Sequence, residues 1–591
     1  MPLLTADIPL VGSASALIVV ALLRSFAAPT GHWRNRAAVA VALAGTLLPL
    51  LAYAFLEASR GSGRTLWEWS AAGGPKVEAH YRLDGIGAIG VAMATGYSAA
   101  AVFAATRALI RPRLVSALVL AIGLVSIALA VVDDLVAATV LLGVLALVTV
   151  LAALLVAPPP ATARLAVYLA IGVQGFVLAA LALSRYGGAS FQFDAIRPTA
   201  ISPGVVASAT AGAALFAGLY PFVPWRYDAA RGLEPGVLRG LLAMPAGIGA
   251  TIVLLRLVGV TRTDLSTLGL PTTSPESRAA IAVIAVLALV SWAVRGHLTA
   301  RRVGLLVLSL GAVALYPGLH WSHAVLLSAI LTVLYAASVS LALPDQWHVV
   351  RYDVALALLL IALAIGTPVA VASALIALVA DALIAIGETV WMAPHRGFMA
   401  LVAGATVSVG AILGVAIGIP DASDLPAKLL ASLALLLLLG LQLAHIARRV
   451  AIPPPTDLEA SATIAGFLVT LLAAIVLVVP VADGVARTLG RPFPPIASSP
   501  APTVVAIAAV GALAVAIARS VRQVLPDLTP PATRLRLIVD AADPVPAGLA
   551  AFRLVEKTAS RVSFGFALFE RPSGVGLALA LIVVLLVWSV R

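Results

Sequence analysis

The 591-residue chain is 62% hydrophobic and 11% charged, with a mean hydropathy of +1.08, which excludes a soluble globule and reads as an all-α polytopic membrane protein. Its net charge of +12 could suit nucleic acid, but arginines between spans are explained by membrane topology, so the expected partner is the lipid bilayer and not nucleic acid. With no cysteine there is no disulfide and no thiolate-held zinc or iron–sulfur cluster.

A span needs roughly 20 apolar residues. The first such run, 8–26, has Asp7 ahead of it and Arg24 near its end, the opposite of a signal peptide's basic start, and reads as a span. A second run covers 37–57. The polar interval from Glu57 to Leu83 reads as an outer loop or hairpin with Trp67 and Trp69 at the interface. Runs at 84–106, 114–132, 135–156 and 163–184 follow. Between two of them Asp133 and Asp134 could collect cations at an outer mouth; the competing reading is an interfacial helix cap.

The run at 204–223 leads into the stretch Ala211 to Ala230, where Pro221 and Pro224 precede Trp225, Arg226 and Asp228. Proline removes a backbone donor and clashes with the preceding turn, so the helix must break or end there. Broken backbone at membrane depth survives only against protein or a wet cavity, which makes it a candidate functional centre. Runs at 236–257, 279–295, 302–318 and 322–343 come next. The segment 353–390 is too long for one span at about 1.5 Å per residue, and Gly366, Thr367 and Pro368 cut it into 353–366 and 369–390. Further runs lie at 397–419, 428–447, 460–482, 502–520 and 573–590, giving 16 to 18 spans. With the N-terminus outside, inner loops collect Arg34, Arg36, Arg107, Arg351, Arg396, Arg448 and Arg449. Past the proline-broken linker after Val521, Leu549, Phe552, Val555, Val562 and Phe566 follow helical spacing and read as an amphipathic helix on the cytoplasmic surface.

Asp381 and Glu388 are intramembrane carboxylates seven residues apart on one helix face, candidates for a proton or ion path. The alternative is that they pair with an arginine or hydroxyl on a neighbouring helix or face a partner subunit. His320, His323 and His445 lie near span ends, where solvation is the commoner role, and Gln174 and Gln442 read as interhelical hydrogen-bond partners. No metal-ligand cluster, phosphate loop or nucleophile triad is present, so no cofactor and no catalytic residue is assigned.

The order of short motifs resembles one family: the antiporter-like membrane subunits of respiratory complex I, membrane-bound hydrogenases and Mrp-type cation/proton antiporters. Leu83, Asp84 and Gly85 resemble its LDG; Asp134 and Leu135 its DL; Phe193 to Ile196 its loop after the sixth helix; Pro221, Trp225, Asp228 and Ala229 its P, W and DA after a broken helix. Pro235, the pair Leu255 and Arg256, and the basic stretch His297 to Val303 are similar to later landmarks, and Gly366 with Pro368 resembles the GLP ahead of a second broken helix. The resemblance implies two inverted five-helix repeats with broken helices around Pro221 and Pro368, and other membrane subunits as partners. The expected division is 1–83 for the N-terminal spans and outer loop, 84–447 for the antiporter-like core, 448–523 for additional spans, 524–572 for the surface segment and 573–591 for the final span.

The family's proton path runs through buried lysines and a glutamate. Counted from the matched landmarks, the glutamate falls near Gly143, the first lysine on Phe216, the central lysine near Thr332, a lysine or glutamate near Ile376, and a histidine or lysine near Leu241. Only Lys76, Lys428 and Lys557 occur in the chain, all expected outside the spans with Lys428 at the very edge of the run 428–447, and the other 35 of 38 basic residues are arginines, which do not release their proton. Three functions follow: a translocating subunit of a complex I-like, hydrogenase-like or Mrp-like assembly; a structural subunit of the same descent; or a stand-alone proton- or cation-coupled transporter. As an enzyme the chain would be at most a non-catalytic subunit of a proton-translocating oxidoreductase. A Lys-poor, Ala-, Val- and Arg-rich chain fits a GC-rich bacterial genome, and the expected location is a bacterial or archaeal plasma membrane.

Overall fold

Small residues on every side of a membrane helix let neighbours pack on every side, and the segment after Asp84 shows this most plainly. In the computed structural model, which describes residues 7–25, 32–56, 63–70, 76–105, 112–156, 159–185, 190–219, 244–261, 320–342, 347–390, 409–422, 424–449 and 458–488, Gly85–Ala105 forms a helix (α3) whose 21 residues are all buried. It follows α1 (Asp7–Ser25), α2 (His32–Phe55) and an antiparallel hairpin of β1 (Gly63–Ser70) and β2 (Lys76–Arg82). The expected Trp67 and Trp69 hairpin is therefore present, with both indoles more than half exposed.

The chain continues through α4 (Pro112–Val131), α5 (Leu135–Val156), α6 (Pro159–Arg185), α7 (Pro203–Ala217) and α8 (Met244–Thr261). Later come α9 (Trp321–Ala342), α10 (Trp347–Ile365), α11 (Pro368–Val390), α12 (Gly410–Ile417), α13 (Leu425–Arg449) and α14 (Leu458–Thr488). The protein is thus an all-α multi-pass membrane protein; among the described residues nine helices are long and apolar enough to cross a bilayer. α3 packs against α2, α4, α8, α11 and α14, which makes it the centre of the bundle.

Small residues let these helices approach, since lipid supplies no hydrophobic drive between them. At the α6–α7 crossing a Cβ on Gly175 would meet the Ser208 carbonyl at 2.7 Å and Gly212 Cα at 2.9 Å.

The expected helix over 204–223 stops earlier, at Ala217. Gly218 takes a left-handed φ of 61° and the Leu219 amide returns to the Ala214 carbonyl, a glycine helix end that precedes Pro221. Pro221, Pro224, Trp225 and Asp228 lie outside the described residues, as do Arg396, the runs 279–295, 302–318, 502–520 and 573–590, and the amphipathic segment. The second interruption falls at Gly366 and Thr367. Gly366 has φ 77°, its amide bonds the Ala362 carbonyl, and Pro368 opens α11, which then runs unbroken to Val390. Two placements need correcting. Arg351, expected in an inner loop, lies inside α10, 3% exposed, because that helix begins at Trp347 rather than 353. Lys428, expected outside the spans, sits in the first turn of α13.

Candidate functional site

Two groups of buried charge stand out, and distant segments build both. The first lies deep in the bundle. Arg351 and Asp381 are each fifteen residues from Gly366 on opposite arms of the α10–α11 pair, so at 1.5 Å per residue both lie roughly 22 Å from the turn and meet at the same depth. Arg351 Nε donates to Asp381 Oδ1, and the Tyr97 hydroxyl of α3 donates to Asp381 Oδ2. Tyr97 also meets Tyr352 edge to face, with ring centroids 5.7 Å apart. Arg351 and Asp381 are 3% and 2% exposed, and the gap beside them is about 10 Å3, no more than one water's space. Asp381 is thus fixed by an arginine and a hydroxyl. A proton placed on it would weaken its ion pair with the buried guanidinium, which is costly in the core. Glu388 occupies α11 two residues before its end; its side chain lies outside the described set.

The second group joins the hairpin to the ends of α3, α4 and α8. Asp84 accepts the Gly87 amide (2.6 Å), so the LDG aspartate caps α3, and it takes Arg256 Nη2 at 3.0 Å. Arg256, 2% exposed, also donates to the Val132 carbonyl. Asp134 caps α5 through the Ala137 amide (2.8 Å) and accepts the Glu78 amide (3.2 Å). Burial pushes the Asp134 carboxyl above its usual range, opposed by those amides. Asp133 faces Arg82 Nη2 at 3.4 Å and His80 Nδ1 at 3.5 Å. Expected at a boundary open to water, Asp133 and Asp134 are both 0% exposed, because the hairpin and the 190–196 loop cover them. Lys76 is held above its ordinary value by Glu78 and Glu68.

The positions counted from the family landmarks hold no carrier. Phe216 is 1% exposed and packs against Phe176 with centroids 6.5 Å apart. Thr332 bonds its own helix at Ser328, and Ile376 is 2% exposed. A side chain at Gly143 would meet nothing within 4 Å, and Leu241 lies outside the described residues. Gln442 is buried, whereas Gln174, expected between helices, is exposed. His323, expected to be solvated, is 4% exposed and bonds Asp424 at 3.0 Å; the His445 side chain is outside the described set. Among the described residues no His, Asp and Glu group could hold a metal. The sequence pointed to Asp381 but not to its partners Arg351 and Tyr97; the equal spacing of Arg351 and Asp381 about Gly366 was the available signal. Arg256, next to last in the apolar run 236–257, was another.

With this architecture the chain is a multi-pass membrane protein with the fold of membrane subunits found in Mrp and complex I assemblies. A chain of the Mrp complex from Dietzia sp. DQ12-45-1b superposes with a TM-score of 0.55 at 17% identity, covering 100% of this chain and 63% of that one. A chain of respiratory complex I from Thermus thermophilus, solved with bound NADH, gives 0.52 at 16% identity, covering 85% of this chain and 99% of that one. This chain therefore spans under two thirds of the Mrp chain's length. No protein-family model and no curated protein matches the sequence.

Proposed function

We propose that the chain is a membrane subunit of a multi-subunit ion-translocating assembly of the Mrp or complex I kind, and that it serves there as a scaffold and not as a proton conductor. The fold likeness supports the assembly. The observation that carries the scaffold role is Asp381 clamped between Arg351 and Tyr97; buried Phe216 and Ile376, at positions where the resemblance would put a lysine and a lysine or glutamate, support it. An arginine keeps its proton under all ordinary conditions, so this pair ties α10 to α11 without offering a site that loads and unloads.

The test uses the native complex reconstituted in liposomes. Asp381→Asn should lower its thermal stability, in line with the roughly 3–5 kcal/mol cost of stripping one partner from a buried pair, while the ion flux per assembled complex stays unchanged. Normal assembly with abolished flux would overturn the scaffold reading. Native purification tests the assembly itself: other membrane subunits should travel with the chain, and a lone, transport-competent monomer would favour a stand-alone transporter.

A further inference from the structure

The outer face of α6 carries a group that lipid cannot satisfy. Its exposed residues Val167, Ile171, Gln174, Leu178 and Leu181 follow one another at steps of four, three, four and three, which makes a single stripe down the helix. The aliphatic members suit acyl chains, and every exposed residue of α5 is likewise a valine or a leucine. Gln174 does not fit that pattern. It stands at the midpoint of the apolar span Leu165–Ser184, roughly 15 Å from either end, so its amide meets the centre of a hydrocarbon layer about 30 Å thick. That distance is several times the reach of a glutamine side chain, and water at the span ends is out of range. Gln174 makes no hydrogen bond with any described residue. The side of α6 that holds Gly172 and Gly175 is already closed by Gly212 of α7. An amide left bare in hydrocarbon is costly.

We propose that the α6 stripe is a contact between subunits, and that its occupant is a transmembrane helix of another subunit carrying a hydrogen-bonding side chain at its own midpoint. That partner rests on the reading of the chain as one subunit of a larger assembly. Gln174 offers Nε2 as donor and Oε1 as acceptor, so an amide, hydroxyl or imidazole at matching depth can pair with it. Polar side chains join membrane helices in this way. Steps of four and three are the seam of a left-handed helix pair, so the neighbour runs beside α6 at a crossing of about 20°, with aliphatic side chains packing above and below the amide. A polar group in an otherwise apolar seam also fixes register, because sliding either helix would set the amide against methyl groups.

The test uses the full chain in its native membrane, with the photoreactive p-benzoylphenylalanine in place of Leu178, 57% exposed and one turn from Gln174 on the same stripe. Illumination should join the chain to a subunit that co-purifies with it, and peptide mass spectrometry should place the adduct within one turn of a polar residue in an apolar span of that subunit. Adding Gln174→Met, which keeps the size and removes both hydrogen-bonding atoms, should lower the adduct yield about threefold, the ordinary effect of losing one hydrogen bond between membrane helices. Gln174→Asn, which keeps the amide, should retain most of the yield. An adduct with lipid alone, with a second copy of this chain or with another part of the same chain overturns the proposal, as does a yield that Gln174→Met leaves unchanged. Co-purifying subunits without the adduct would sink the α6 contact and leave the assembly reading standing; recovery of the chain alone would sink both.

Discussion

Asp424 stands one residue before α13. Its partial burial would raise a carboxyl, but the Ala427 amide at 2.8 Å and His323 hold it below the ordinary value of 3.8. The His320 amide donates to His323 Nδ1 at 3.3 Å, so the proton sits on Nε2, which donates to Asp424 at 3.0 Å. A carboxyl depressed by folding adds stability that is complete above its unfolded value and is lost as pH falls through its folded value. Acid titration followed by circular dichroism should therefore show stability falling below about pH 4, and Asp424→Asn should be less stable at neutral pH yet lose less on acidification. Equal acid sensitivity in the two proteins would remove this bond from the account. The same chemistry explains why the DL motif is structural here: Asp134 Oδ1 accepts an amide of α5, a job set by its position before Leu135.

At the scale of elements, close glycine contacts decide which helices touch. A Cβ on Gly212 would meet the Gly172 carbonyl at 2.8 Å and the Phe176 ring at 3.0 Å. Gly212→Leu should separate α6 from α7 and cost about 1–3 kcal/mol by overpacking. Gly143→Ala, facing open space, should be neutral or gain up to about 1 kcal/mol from helix propensity. Thermal denaturation in detergent compares the two, and equal effects would contradict the packing argument. These crossings also show what the sequence could carry. The run 135–156 coincides with α5 and 163–184 lies within Pro159–Arg185, because continuous apolar stretches of membrane length admit one reading. α7 ended six residues early because a left-handed glycine, Gly218, acts before the prolines. α10 begins six residues before the run 353–366 because its first turns carry His348 and Arg351, polar residues that hydropathy assigns to a loop.

For the molecule as a whole, the sites were less legible than the fold. Asp381 and Tyr97 are 284 residues apart, and the hairpin reaches Asp133 across 53 positions of chain. Nothing in local pattern announces such meetings; each required the bundle to place one helix end beside another. What the sequence did carry was the order of motifs, and the shared fold with Mrp and complex I chains agrees with it. The arrangement has a further consequence: α3 is enclosed on every side, while α5, α6 and α13 present leucines and valines outward, as helices at the rim of a membrane bundle do.

The turn at Gly366 turns α10 and α11 into a vernier. Because Arg351 and Asp381 sit fifteen steps from it on either arm, adding one alanine between Val354 and Ile365 would swing the guanidinium by about 100° and slide it about 1.5 Å. An alanine added on the other arm as well, between Ala370 and Ala380, swings both members instead of one and restores equal arm lengths without restoring their facing. Neither insertion should therefore regain the parent's melting temperature, whereas exchanging the two residues, Arg351→Asp with Asp381→Arg, preserves the ruler and should recover more of it than either exchange alone.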